Sequence, residues 1–359
     1  MKILHLIDSL GLGGAQTVVK GIFENQRKNK DIFLYVLRKR EINIDVDHPN
    51  VKIFNSNKKY SLASIQELRN LIEKEQISII HCHLFRSQVF GWILKRFYFP
   101  NIKLIFHEHG QIFQGDFYYN YFMKKSQGNV NLFIAVSKTT KKELIKIAHI
   151  SSKKIFILYN FVDLDRFNKK KVKINIKEEK EKLGIKKGEF VVGFVGRLDK
   201  IKGCHYLIRA LSHLKFNYKC LIIGDGIERK RLEDLSKQLN LDRKVILLGY
   251  KRNPEIFYHL MDVLVVPSEK ESFGLSAIEA QASGIPVICS DIDALKEVVL
   301  GSPIFFENKS FLDLSSKLLV FKKSKEKYIY QVSEKNIQRF NIKHYLKNLS
   351  KIYNGSIQN

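Results

Sequence analysis

Residues 262–286 read Asp-Val-Leu-Val-Val-Pro-Ser-Glu-Lys-Glu-Ser-Phe-Gly-Leu-Ser-Ala-Ile-Glu-Ala-Gln-Ala-Ser-Gly-Ile-Pro. The short apolar run at 263–266 reads as a buried strand, and small apolar residues over 277–282 read as the packed face of a helix. The Ser-Phe-Gly turn between them therefore lies at the carboxyl end of a strand, where open α/β sheets bind ligands. Glu271 falls at the mouth of that crevice, and Glu279 is expected about two turns into the helix. The amides of Phe273, Gly274 and Leu275 are expected to point outward from the helix start as an anion site. A carboxylate accepts well from a vicinal diol. Two of them flanking a phosphate site outline a nucleotide-sugar.

The same alternation runs outward in both directions. Strands are predicted at 3–7, 32–37, 51–54, 79–81, 104–107, 132–136 and 155–159, and helices at 16–28, 62–75 and 139–148, the pattern of a doubly wound parallel sheet. Residues 166–188 are charged and lysine-rich and read as a surface linker. A second series of strands follows at 190–195, 220–223, 245–248, 263–266 and 287–289. The domains read as 1–165, a linker at 166–188, 189–335, and a terminal segment at 336–359 that is helical by pattern. Two domains also suit 359 residues, 45% of them hydrophobic.

Three strand ends carry further chemistry. Gly11, Gly13 and Gly14 follow the first strand, where a bare backbone can approach a phosphate. Gln16 stands where a dinucleotide fingerprint needs glycine, and Arg38-Lys-Arg40 replaces the ribose-binding acid, which weakens a dehydrogenase reading. Arg197 and Lys202, flanked by Gly196 and Gly203, supply two cations for a leaving diphosphate without calling for a metal. The P-loop spacing fails there, since Ile201 occupies the glycine position. His107-Glu108-His109-Gly110 closes the strand at 104–107. His107 and His109 invite a metal reading, but the sequence nominates no third ligand. His81 and His83 read as structural. Asp291 and Asp293 read as loop chemistry capping the helix that contains Glu297.

Five of these segments, in order, resemble the retaining glycosyltransferases of the GT-B fold in the large group called family 4. Glu271 and Glu279 resemble its Glu-x7-Glu motif, Gly196-Arg197-Leu-Asp-Lys-Ile-Lys202-Gly203 its phosphate-binding segment, and Leu221-Ile-Ile-Gly224-Asp225-Gly226 its strand-and-glycine turn. Asn160-Phe-Val-Asp163 resembles its linker entry, with Phe161 where glycine is usual, and Gly11-Leu-Gly13-Gly14-Ala-Gln16 its N-terminal glycine loop. The resemblance implies two Rossmann-like doubly wound domains facing a central cleft, the donor held by the second and the acceptor by the first, with the terminal helix crossing back. It implies that Glu271 binds the donor sugar, Glu279 the ribose, and His109, Arg197 and Lys202 assist at the reacting centre. Gly13, Gly14, Tyr250, Phe273, Gly274 and Leu275 complete the expected donor site. It implies no cofactor and no metal.

The net charge of +26, from 62 basic and 36 acidic side chains, suits either an anionic membrane surface or a plain lysine-rich coding bias. Residues 95–100 and 118–125 mix aromatics with cations as interfacial elements do. No nucleic-acid module accompanies the charge. No apolar run long enough to span a bilayer and no signal peptide is seen, so a cytoplasmic protein, peripheral at the inner face of the plasma membrane, is expected. Cys82, Cys204, Cys220 and Cys289 lack metal or disulfide spacing and read as core residues. The function read from all this is retaining transfer of a sugar from a UDP- or GDP-linked donor to a saccharide acceptor, lipid-linked, in bacterial surface polysaccharide synthesis. The alternatives are another GT-B enzyme, such as a sugar-nucleotide epimerase or a phosphorylase, for which no pyridoxal phosphate lysine is seen, and a non-catalytic nucleotide- or anion-binding protein.

Overall fold

A computed structural model describes residues 1–11, 13–39, 44–54, 61–110, 116–169, 171–172, 174–301, 303–324 and 337–356. Leu12 and Arg40 lie outside these residues, as do 325–336. The chain divides into two compact units, Met1–Phe161 with Ile342–Asn359, and Val162–Asn341. The chain thus passes between units at 161–162 and 341–342, rather than near 165 and 335.

The first unit is a seven-stranded parallel sheet, β1 (Ile3–Ile7), β2 (Ile32–Val36), β3 (Val51–Ile53), β4 (Ile79–His83), β5 (Lys103–Glu108), β6 (Leu132–Ala135) and β7 (Ile155–Ile157), in the order β3-β2-β1-β4-β5-β6-β7. Helices Gly14–Glu24, Leu62–Glu75, Phe85–Phe97, Phe117–Ser126 and Lys138–Lys146 connect these strands, and the final helix, Ile342–Asn354, packs in this unit. Strands covered on both faces bury nearly every residue, as β1 and β4 do throughout. β4 runs to His83, two residues past its predicted end, because His81 and His83 are buried and pair in register with His5 and Ile7 of β1. Phe161 is buried against Tyr345 with ring centroids 4.7 Å apart. A Cβ on Gly21 would lie 2.5 Å from its ring, so the helix Gly14–Glu24 closes over Phe161 only because residue 21 has no side chain.

The second unit is a six-stranded parallel sheet, β8 (Phe190–Val195), β9 (Tyr218–Ile223), β10 (Val245–Gly249), β11 (Val263–Val266), β12 (Val287–Ser290) and β13 (Ile304–Phe306), in the order β10-β9-β8-β11-β12-β13. β13 was not read from the sequence: its three residues carry too little pattern. The lysine-rich stretch holds a helix, Ile176–Lys182, capped by Asn175 and laced by pairs from Lys182 to Glu178 and Glu179. All four cysteines are buried and unpaired. Among the described residues no helix is long and apolar enough to cross a membrane.

Strand order reverses between β1 and β4 in one sheet and between β8 and β11 in the other, and at such points the loops leaving adjacent strands diverge and open a crevice. In the second unit glycines bring those loops together. Gly203, at φ 68°, would place a Cβ 1.9 Å from the Pro267 carbonyl oxygen, and Gly224, at φ 135°, would place one 1.8 Å from that of Gly196. Either substitution meets backbone as well as the left-handed penalty. Gly224→Ala is therefore expected to lower stability by at least about 1–3 kcal/mol, read as a reduced urea midpoint, whereas alanine at Gly188, where φ is also positive but nothing lies within 4 Å of the added Cβ, loses only the conformational part.

Candidate active site

The Gly203–Pro267 approach sets the loop after β8 against the loop after β11. Asp199 organises the first loop. Its Oδ1 accepts from the Lys202 amide at 3.1 Å, closing the turn Lys200–Lys202, and its Oδ2 accepts from Arg197 Nε at 2.5 Å. The rest of the Arg197 side chain is 64% exposed, so its guanidinium is oriented by Asp199 and still free to meet a ligand. Lys202 reaches across to the second loop and donates to Oε1 of Glu271, which also accepts from Ser268 Oγ at 3.1 Å. Both contacts fall on one oxygen, leaving Oε2 with no partner among the described residues.

The helix Leu275–Ala282 is preceded by Gly274 as its N-cap, in left-handed backbone at φ 90°. The amides of Gly274, Leu275 and Ser276 have no acceptor among the described residues, while that of Ala277 turns back to the Gly274 carbonyl at 3.1 Å. The side chain of Phe273 is buried and packs edge-on against Phe340 at 5.7 Å. Glu279 is the fifth residue of this helix, little more than one turn in rather than two. Burial pushes its carboxyl up to about 7, against the opposing pull of a 2.7 Å hydrogen bond donated by Tyr258 and of the Arg166 charge. Tyr258, from the short helix Glu255–Tyr258 after β10, and Asp199 are the site residues that sequence reasoning missed. Tyr258 has no local signal, since the fold brings Glu279 to it, whereas Asp199 has one, an acid at the N-cap of the turn Lys200–Lys202 that accepts from the Lys202 amide three residues on. Tyr250 follows β10, is 41% exposed, and its neighbour Gly249 accepts from the Gly224 amide at 2.9 Å. The ends of β8, β9, β10 and β11 thus form one continuous edge.

Asp291 and Asp293 do not cap as expected. Ile292 is the N-cap of the helix Asp293–Val298, and Asp291 instead pairs with Lys296.

In the first unit Gly14 opens the helix after β1, and Gly13 precedes it in extended backbone at φ 171°. An added Cβ at Gly13 would meet only the flexible end of Gln16. Asp8, at the end of β1, accepts from Arg38 Nε at 3.0 Å and Nη2 at 2.8 Å and also from Arg86, so Arg38 is held by an acid close to where a dinucleotide site would need one free. His109 lies just past β5, and burial pushes it down to about 3, so it is a neutral ring. The third histidine that the sequence did not nominate is His83, whose Nδ1 is 2.9 Å from His109 Nε2. Two trios, His5, His81 and His83, and His83, His107 and His109, bring ligand atoms within 4.8 Å of one another. Their nitrogens are largely engaged with each other, and His107 and His109 are stacked with centroids 3.9 Å apart. A metal at either trio would have to break those hydrogen bonds.

The chain matches the family Glycosyl transferases group 1 over residues 175–334 and Glycosyltransferase Family 4 over residues 12–166. It is 31% identical over 258 residues, 70% of this chain and 67% of the other, to an uncharacterized glycosyltransferase of Methanocaldococcus jannaschii. It is 35% identical over 161 residues, 45% of this chain and 41% of the other, to a Campylobacter jejuni N-acetylgalactosaminyltransferase acting on N-acetylgalactosamine-N,N'-diacetylbacillosaminyl-diphospho-undecaprenol. The chain spans less than half the length of some curated relatives that it matches. The structure of Anabaena HepE in complex with UDP-glucose superposes with a TM-score of 0.86 at 20% identity, covering 99% of this chain and all of that one. The protein belongs to the group 1, family 4 glycosyltransferases and has their GT-B fold of two Rossmann-like units.

The raised carboxyl of Glu279 has a consequence for pH. Its folded value near 7 exceeds the ordinary 4.5, so the folded state binds the extra proton, and this contribution to stability is present below pH 4.5 and lost as pH rises toward 7. Chemical unfolding of Glu279→Gln is expected to show a smaller loss of stability between pH 5 and 8 than the wild type. Glu108, also raised to about 7 by burial, gives the same slope in both proteins.

Proposed function

We propose that this protein transfers a sugar from a nucleotide-sugar to a hydroxyl of a saccharide acceptor. The observation that carries the reading is the Lys202–Glu271 pair, set beside the open amides of the helix at Gly274 and one helical turn from Glu279. The diphosphate fits Lys202, Arg197 and those amides, the ribose diol fits Glu279, and the sugar hydroxyls fit Oε2 of Glu271. As the anomeric carbon–oxygen bond breaks, its electron pair leaves with the diphosphate, whose charge Arg197 and Lys202 offset. The acceptor oxygen attacks the same face, and its proton passes to the departing phosphate oxygen, which accounts for retention without a protein nucleophile. No metal or other cofactor enters this scheme. His109, a neutral donor or acceptor, is assigned to the sugar.

The acceptor is proposed to be lipid-linked, in bacterial surface polysaccharide synthesis, which agrees with the substrate named for the Campylobacter relative. A membrane-facing element supports this. The helix Phe117–Ser126 turns Tyr119 and Met123 inward and exposes Phe117, Tyr118 and Tyr121 at 72%, 83% and 55%, beside Lys124 and Lys125. Exposed rings beside cations suit the headgroup region of an anionic leaflet. Such a helix suits an enzyme that works at the inner face of the plasma membrane.

Three outcomes are expected. In a panel of UDP-, GDP- and ADP-sugars, one donor raises the melting temperature of the wild type, and Arg197→Ala and Glu279→Ala abolish the shift; no shift with any nucleotide at millimolar concentration would overturn the reading. Lys202→Ala lowers kcat by about 10²–10³-fold, and Glu271→Ala abolishes turnover while a bare nucleotide still stabilises the protein, which separates the enzyme from a non-catalytic binder. Serine at positions 117, 118 and 121 together releases the protein from anionic vesicles in a flotation assay, with donor binding unchanged.

A further inference from the structure

Five histidines of the first unit project from one face of its sheet. Alternation along a strand puts His81 with His83, and His107 with His109, on the same side, and the parallel register sets His5 beside His81 and His83 beside His107. The rings form two hydrogen-bonded rows. In one, His109 Nε2 lies 2.9 Å from His83 Nδ1, and His83 Nε2 lies 2.9 Å from His5 Nδ1. In the other, His81 Nε2 lies 3.2 Å from His107 Nδ1. The rows stack, His81 on His83 with centroids 4.2 Å apart and His107 on His109 at 3.9 Å. Tyr353, from the final helix, joins them at one end: its hydroxyl is 2.7 Å from His81 Nδ1 and 3.3 Å from His5 Nε2. At the other end His107 Nε2 and His109 Nδ1 are both buried and have no hydrogen-bond partner among the described residues.

Burial pushes all five rings below their ordinary pKa. Each is therefore neutral, with one N–H and one lone pair. In a series of such groups, the direction of one hydrogen bond dictates the next. If His109 donates to His83, then His83 donates to His5, His5 to the Tyr353 oxygen, the Tyr353 hydroxyl to His81, and His81 to His107. His107 is then left with a proton on Nε2 and His109 with a lone pair on Nδ1. Reversing every bond exchanges the two ends. The single proton of the phenol is what links the rows, because it can donate to only one of them and must accept from the other to be satisfied.

We infer that Tyr353 is a positioning residue that locks the two free nitrogens into opposite characters, one donor and one acceptor, and so builds a binding site for a hydroxyl group. A hydroxyl donates to the lone pair of one ring and accepts from the N–H of the other, whereas a carboxylate or phosphate oxygen can satisfy only the donor. That the hydroxyl belongs to a saccharide rests on the transferase reading; the lock itself does not.

The lock is read directly in the full-length protein labelled with ¹⁵N-histidine, from long-range ¹⁵N–¹H spectra that report which nitrogen of each ring is protonated. In the wild type, one of His107 Nε2 and His109 Nδ1 is expected to carry a proton and the other not; two donors or two acceptors would overturn the inference. Tyr353→Phe keeps the ring and removes only the hydroxyl. Nothing then couples the direction of the His109–His83–His5 row to that of the His81–His107 row, so the strict pairing of one donor with one acceptor at the two free ends is expected to be lost. Unchanged tautomers in Tyr353→Phe would also overturn the inference. These spectra need no substrate, so they stand or fall apart from the transferase reading. Where turnover is measured, Tyr353→Phe is expected to lower kcat at least tenfold, with the nucleotide-induced melting shift unaltered, and turnover within twofold of wild type counts against the lock.

Discussion

The contact between the backbone at Gly203 and the carbonyl of Pro267 is the constraint on which the proposed donor site depends. A parallel sheet delivers chains to its carboxyl edge but lets loops at the reversal of strand order diverge. Here they are drawn back together by residues without side chains. Gly224 lies against Gly196 in the same way, and a Cβ on Gly226 would lie 2.3 Å from the Leu198 carbonyl oxygen. Three loops thus nest at van der Waals distance. Only with the loop after β8 so close can Lys202 reach Glu271, and only then is an exposed lysine turned into a fixed charge. The strain of left-handed backbone at Gly203 and Gly224 is a local cost that glycine makes small.

Charge is handled differently in the two units. In the second, cations and carboxylates meet at the rim, where water still screens them and a ligand phosphate can compete for Arg197 and Lys202. In the first, five histidines and Glu108 are buried, and burial disfavours their charge: the imidazoles are held neutral, and Glu108 is pushed toward neutrality beside Gln88 and Tyr119. A neutral imidazole keeps its specificity through the direction of its hydrogen bonds, and that direction is set by neighbours. A side chain as far along the sequence as Tyr353 can therefore determine what His109 offers a ligand.

Much of this was legible residue by residue. The strands at 3–7, 190–195 and 263–266 and the helix at 62–75 coincide with the elements found, because buried parallel strands are short apolar runs and amphipathic helices carry a strong period. The pairing of Lys202 with Glu271 was prepared by two motifs, each read from its own spacing. Legibility failed where the decisive partner is remote. Tyr258 has no motif of its own and meets Glu279 only through the fold, and the inward turn of Phe273 depends on Phe340. The third unit of information that the histidine pairs lacked lay in His83, which shares a face with His109 only through strand register.

By itself the sequence determined the period of its elements, the glycines that permit close approach, and the residue types able to hold a diphosphate and a diol, since those properties belong to single residues and their near neighbours. The tertiary structure alone decided which loops touch, which carboxyl is raised, and which ring nitrogens are left unpaired. Those are properties of distance and burial between residues far apart in the chain, and no local pattern encodes them.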